Sequence, residues 1–152
     1  NLSLIGCKEI PTTGLSNWDG KLDALKSIYL PDITRIGVEG LAYCVFLEEI
    51  NTPNVTSIHE NAFGGCTNLQ KITFGELTEV KGLSHDYDGI LDPGVNTERI
   101  NLVLSENQKV MTKNRQGNEY FWTPTKEYYK GSVEYGSTSF LEYKFNSVSF
   151  KK

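Results

Sequence analysis

The sequence predicts an α/β solenoid, in which short parallel strands stack rung on rung and tight helical turns close each rung. Two observations predict it. One apolar phrase recurs every 22 residues, and within it apolar and polar residues alternate as on a half-buried strand. The frame around these phrases is that of a single domain of 152 residues, long enough for a sizeable core. With 38% hydrophobic and 11% aromatic residues the chain is neither disordered nor collagen-like. It has no run of about 18 apolar residues, as a transmembrane helix requires. A net charge of −4 argues against binding a phosphate backbone, so no nucleic-acid partner is expected. Three cysteines are too few for a disulfide scaffold. The chain starts at Asn1 with neither Met nor a basic, apolar leader, as in a processed or trimmed form.

The first phrase reads Leu25-Lys-Ser-Ile28-Tyr-Leu30-Pro31, then Leu47-Glu-Glu-Ile50-Asn-Thr52-Pro53, then Leu69-Gln-Lys-Ile72-Thr-Phe74-Gly75. Its last apolar residues alternate and so face one side of a strand, and the Pro or Gly after them ends the pairing. A second phrase follows at a fixed offset: Ile33-Thr-Arg-Ile36, Val55-Thr-Ser-Ile58 and Leu77-Thr-Glu-Val80. It sends apolar residues into the same interior from a second side. A third, Leu41-Ala-Tyr-Cys44 and Phe63-Gly-Gly-Cys66, reads as a helical or 3-10 turn that plugs the remaining side. One rung cannot bury these residues alone. Stacked at about 4.7–4.9 Å, successive rungs turn the columns into one continuous core.

The full pattern, closest in Val55-Thr-Ser-Ile58-His-Glu-Asn-Ala62-Phe63-Gly-Gly-Cys66-Thr-Asn-Leu69, resembles the BspA-like branch of the leucine-rich repeats. The first repeat departs from it at Gly40-Leu41, where the family usually has Ala-Phe. In the third, Ser84-His-Asp-Tyr-Asp-Gly89 replaces the Ala-Phe and Cys. The resemblance implies a right-handed superhelix with capping segments at both ends. It also implies a secreted or surface-attached protein of host-associated bacteria that serves recognition and adhesion.

Residues 1–24 read as a degenerate opening rung filled by Leu2, Leu4 and Ile10, with Trp18, Leu22 and Leu25 near the columns of Leu41, Cys44 and Leu47. Full repeats span 25–83, and 84–152 hold atypical final rungs and a C-terminal cap, all within one domain. Ile100-Asn-Leu102-Val-Leu104 supplies a fourth strand and Phe145-Asn-Ser-Val148-Ser-Phe150 a final rung. Between them, residues 105–139 lose the repeat and form an excursion. Ten of the 17 aromatic residues lie in 120–150, among them Tyr120, Phe121, Trp122, Tyr128 and Tyr129. They read either as a hydrophobic lid over the last rung or as a platform for a sugar or peptide. Charge is uneven: 25–90 hold nine acids and four bases, and 91–152 seven acids and nine bases. Both are dilute enough to be solvated surface.

No catalytic set assembles in the sequence. Cys44 and Cys66 share a column and fit the interior as free thiols, Cys7 has no column partner, and His59 falls in what reads as a surface loop. The run Ser84-His85-Asp86-Tyr87-Asp88-Gly89 with Asp92 resembles a calcium loop. It fails the calcium-loop pattern, because Ile90 stands at the fifth position, where an oxygen ligand is needed, and Leu91 at the sixth, where Gly is needed. Asn54-Val-Thr56 fits a glycosylation sequon, though Thr56 belongs to its repeat column. No metal and no cofactor are expected. What remains is the strand face turned away from the core, which carries Ser27 and Tyr29, then Glu49 and Asn51, then Lys71 and Thr73. Solenoids present such side chains in rows. The expectation is therefore a non-catalytic, monomeric module that binds through this face; the resemblance implies a protein ligand and an extracellular or cell-surface location. The alternative is glycan binding by the aromatic C-terminal segment around Trp122.

Overall fold

A computed structural model describes residues 2–129 and 138–152. The chain winds into a solenoid in which two sheets alternate. The strands run β1 (Leu2–Ser3), β2 (Glu9–Ile10), β3 (Ser27–Tyr29), β4 (Arg35–Ile36), β5 (Glu49–Thr52), β6 (Ser57–Ile58), β7 (Lys71–Phe74), β8 (Glu79–Val80) and β9 (Asn101–Ser105). An antiparallel trio follows, β10 (Val110–Lys113), β11 (Glu119–Thr123) and β12 (Lys126–Tyr129), and then β13 (Ser139–Phe140), β14 (Tyr143–Lys144) and β15 (Ser147–Lys151). The first sheet has the order β1-β3-β5-β7-β9-β15, the second β2-β4-β6-β8, and every pairing within both is parallel.

Register ties this architecture to the sequence phrases. Leu2 lies opposite Ile28, then come Ile50, Ile72, Leu102 and Val148, so successive steps are 26, 22, 22, 30 and 46 residues long. Extra residues leave the stack as loops and the column resumes in phase. Leu30, Ile33, Ile36, Leu47, Ile50, Val55, Ile58 and Ile72 are fully buried, and Phe63 stacks on Phe74 with centroids 5.9 Å apart. The Thr of the second phrase has a specific task. Thr34, Thr56 and Thr78 each direct both backbone N–H and hydroxyl to the same carbonyl one rung earlier, those of Lys8, Thr34 and Thr56.

The third side differs from the helical turn that an α/β class calls for. Among the described residues the only helical elements are two 3-10 turns, Ser84–Asp86 and Thr97–Arg99. The reason lies in the backbone donors. The N–H groups of Glu39, Leu41 and Tyr43 reach across to the carbonyls of Glu60, Ala62 and Gly64 in the next rung. Those of Gly40 and Ala42 close turns inside their own rung, on Gly37 and Glu39. Half of the donors are committed between rungs, so no α-helical ladder can form. This side is a third parallel ladder made of turns.

The ends are built differently. Ile10 is buried in the opening rung, but Trp18 is 63% exposed instead of filling a core column. The opening step is longer than the next two, and the surplus chain carries Trp18 outward. At the other end β15 pairs with β9 and leaves Val148 half-buried and Phe150 exposed, since no further rung covers them among the described residues. The aromatic excursion covers the second sheet rather than this last rung. Gln108, fully buried, accepts the Leu77 N–H at 2.7 Å and donates to the Leu77 carbonyl at 2.9 Å, taking the place of a strand residue. Thr112 donates to the Val80 carbonyl of β8. Tyr120, Trp122, Phe140, Tyr143 and Phe145 are buried and join the hydrophobic core cluster of the solenoid.

Cys44 and Cys66 are free and buried, and Cys7 is free and exposed. The Cys44 and Cys66 thiols donate to equivalent carbonyls, Leu15 and Leu41, one rung earlier. A hydrogen bond with Cys44 and its own burial push the Cys66 thiol well up, so it is a poor nucleophile. A bulky thiol reagent should therefore label Cys7 alone in the native protein and all three cysteines after denaturation. A 44–66 disulfide in intact-mass spectra would contradict this. Leu47→Ala in the fully buried middle rung should cost about 2–5 kcal/mol in chemical denaturation, because neighbouring rungs pinned by the ladders cannot collapse into the cavity.

Candidate functional site

Strand alternation and parallel register together arrange the outer face of the first sheet. One row runs Ser3, Tyr29, Asn51, Thr73, Val103 and Ser149; a second runs Ser27, Glu49, Lys71, Asn101 and Ser147. Six strands contribute, so the face is about twice as long as the three full repeats alone supply. All six residues singled out by alternation lie in these rows, yet they do not act alike. Ser27, Tyr29, Glu49 and Asn51 line a shallow cavity of about 320 Å³, together with Leu2 and Ser3. Tyr29 is 47% exposed on its wall. Lys71 lies beyond it and reaches back to Glu49 at 3.8 Å, an exposed pair worth little in stability. Thr73, by contrast, is almost covered, because it is a short side chain between the half-buried Asn51 and Val103 of its own row. Leu2 and Ser3 were missed as lining residues. Leu2 reads as core filler, and only the pairing of β1 with β3 brings Ser3 beside Tyr29.

The cavity joins apolar area from Leu2 and Tyr29 to hydrogen-bonding groups from Ser3, Glu49 and Asn51. That combination offers both apolar contact and hydrogen bonds to a ligand.

The other clusters resolve structurally. His59 is not in an exposed loop but buried, with Nε2 2.9 Å from Glu79 Oε1 and Nδ1 3.9 Å from Glu60. A carboxylate only accepts, so His59 Nε2 carries the proton. Ser57 donates its own hydroxyl to the same Glu79 oxygen at 2.7 Å. These two hydrogen bonds, Ser57 first, hold the Glu79 carboxyl below the usual carboxylate range. The Ser57 proton is thus directed to a carboxylate that is a weak base, which leaves the hydroxyl unactivated.

In the run that resembles a calcium loop, Asp86 accepts the Arg115 N–H at 2.9 Å and Asp88 pairs with the Arg115 guanidinium, so the excursion itself supplies a cation. Asp92 is set apart from them, its carboxyl raised by burial, beside the Tyr143 phenol, which burial and Asp92 together push up. No group of three or more His, Cys, Asp or Glu is placed to hold a metal ion among the described residues. The side chain of His85 lies outside them. Asn54, the sequon residue, donates its amide to the Pro31 carbonyl at 2.7 Å and so ties two rungs together.

The alternative sugar platform is not built on Trp122. Trp122 is 2% exposed, its indole N–H donates to the Ser139 carbonyl at 2.8 Å, and its ring meets Phe140 edge to face. An excursion strand that packs on β13 has no indole face left for a ligand. Phe121 is half-buried, and the side chains of Tyr128 and Tyr129 lie outside the described residues.

Among the described residues no helix is long and apolar enough to cross a membrane. No curated protein and no solved structure matches the chain. A family model does: that of the BspA type leucine rich repeat region matches residues 20–85 in six copies, a stretch just under half of the chain. The matched segment coincides with the regular rungs and stops where the third repeat breaks down, so residues 20–85 are similar to the BspA type of leucine-rich repeat.

Proposed function

We propose that the protein is a non-catalytic recognition module, extracellular or at the cell surface, that binds a protein ligand as a monomer through the outer face of its first sheet. One observation carries this reading: Ser27, Tyr29, Glu49 and Asn51 converge with Leu2 and Ser3 on a single depression. Tyr29 is the anchor. It offers apolar area and a hydroxyl at small entropic cost, and it is the one aromatic residue in its row. Glu49 and Asn51 supply the acceptors and donors that set specificity, with Lys71 at the rim. The BspA type of repeat favours a surface protein-interaction role, and adhesion is the form of it proposed here. The non-catalytic part rests on the Ser57–His59–Glu79 geometry, in which serine and histidine both donate to one carboxylate.

An array of extracellular-matrix and mucosal proteins, printed beside glycans, identifies the partner. Tyr29→Ala should then weaken that partner's binding by about 1–2 kcal/mol with the melting temperature nearly unchanged. Trp122→Ala should leave affinity alone and destabilise the fold by about 3–5 kcal/mol, as loss of a buried aromatic does. Binding lost in Trp122→Ala but kept in Tyr29→Ala would reject the strand face.

A further inference from the structure

The turn side of the solenoid holds an aromatic stack that the Tyr29 face does not use. Tyr43 has φ of 62°, in the left-handed region that bulky side chains avoid because Cβ crowds the following carbonyl. Backbone hydrogen bonds run from Tyr43 to Gly64 and from Gly65 to Pro93, which places Gly65 and then Gly94 at the matching position of the next two rungs. Both are glycines with positive φ, 74° and 81°. Tyrosine thus stands where the following rungs relax to glycine, and such strain persists where the surroundings hold it for a purpose.

The surroundings do hold it. A Cβ on Gly65 would come within 2.6 Å of Tyr43 Cδ1, so one face of the ring lies against bare backbone. Trp18 packs against Tyr43 with centroids 3.8 Å apart and planes tilted by 41°. Trp18 nonetheless remains 63% exposed, which is uncommon for a residue that normally buries most of its area. Its turn is pinned from below by Asn17, which is 5% exposed, donates to Asp23 at 2.9 Å and accepts the Leu22 N–H at 2.7 Å. Next along the chain, Asp19 pairs with Lys21 at 2.7 Å, both open to water. The ammonium keeps the Asp19 carboxyl below its ordinary range.

A backed indole face, followed one and three residues along the chain by an exposed donor–acceptor pair, selects among ligands. An apolar side chain would cover the ring but strip water from Asp19 and Lys21 without replacing it. A quaternary ammonium would use the ring face but offers no hydrogen bond to either partner of the Asp19–Lys21 pair. A sugar ring satisfies both parts: its C–H bonds meet the electron-rich face, and its hydroxyls both donate to Asp19 and accept from Lys21. The carboxylates of Asp19 and Asp23 disfavour an acidic sugar. We propose that Trp18, backed by Tyr43 and flanked by Asp19 and Lys21, stacks against a neutral hexopyranose unit of a saccharide chain.

Cellohexaose, maltohexaose, laminarihexaose and mannohexaose, titrated calorimetrically into the unaltered chain, test this directly. At least one should bind saturably. The same sugar should shift the emission of a Trp122→Phe variant, in which Trp18 is the sole tryptophan. Trp18→Ala should weaken binding at least about tenfold with the melting temperature unchanged. Tyr43→Gly separates support from stability: glycine relieves the backbone, so the melting temperature holds or rises, while affinity falls because the indole loses its backing. Three results would overturn the proposal: no heat with any of the four sugars, binding that survives Trp18→Ala, or choline bound in preference to all of them.

Discussion

Everything in this molecule depends on hydrogen bonds that run between rungs instead of within them. Each rung is too short to satisfy its own backbone, so its N–H groups must meet carbonyls of the rung beside it. Two sheets do this conventionally, and the third side does it with every second donor, as at Glu39, Leu41 and Tyr43. Side chains extend the same requirement. The hydroxyls of Thr34, Thr56 and Thr78, the thiols of Cys44 and Cys66, and the amides of Asn54 and Asn68 all end on carbonyls of the preceding rung. A residue type recurs in a column because it does the same bonding task at each level. Where the second sheet runs out, Gln108 performs that task for Leu77 with a side chain.

This constraint also explains how irregular rungs are tolerated. In-phase pairing is needed only along the ladders, so added residues are expelled between them. Loop-closure entropy grows slowly with length, and a step of 30 or 46 residues costs little more than one of 22. The loops are then free to acquire other contacts. Arg115, carried out by the longest of them, returns to Asp86 and Asp88 at the broken third repeat.

What was legible in the sequence follows from the same division. Columns such as Ile28, Ile50 and Ile72 show themselves because burial and pairing act at a fixed period. The outer rows were legible too, since alternation fixes which side chains leave the core. Properties that depend on a particular neighbour in another rung were not. His59 is buried by what Glu79 and Glu60 do to it, Thr73 is covered by Asn51 and Val103, and Trp122 finds Ser139 and Phe140 far along the chain. Of the helical or 3-10 turn expected on the third side, the α-helical form is forbidden by the donors committed between rungs, while the bonds left within a rung, Gly40 to Gly37 and Ala42 to Glu39, span three residues as in a 3-10 turn. Trp18 escaped its column because the opening rung is longer than the next two, and no periodic signal reports a surplus that falls between the phrases.

The columns that build the solenoid can confer little specificity, because they are the same on every rung. Distinctive chemistry must sit where a column is broken. Tyr29 breaks its outer row, which otherwise holds Ser3, Asn51, Thr73, Val103 and Ser149. Tyr43 breaks a column of positive-φ positions continued by Gly65 and Gly94. Neither departure improves the core: the first exposes an aromatic ring, and the second strains the backbone. Both lie toward the opening end, on rungs whose strands pair with a rung on either side. The regular stack thereby acts as a rigid support, and its departures from regularity are the positions from which a ligand can tell this surface from any other solenoid.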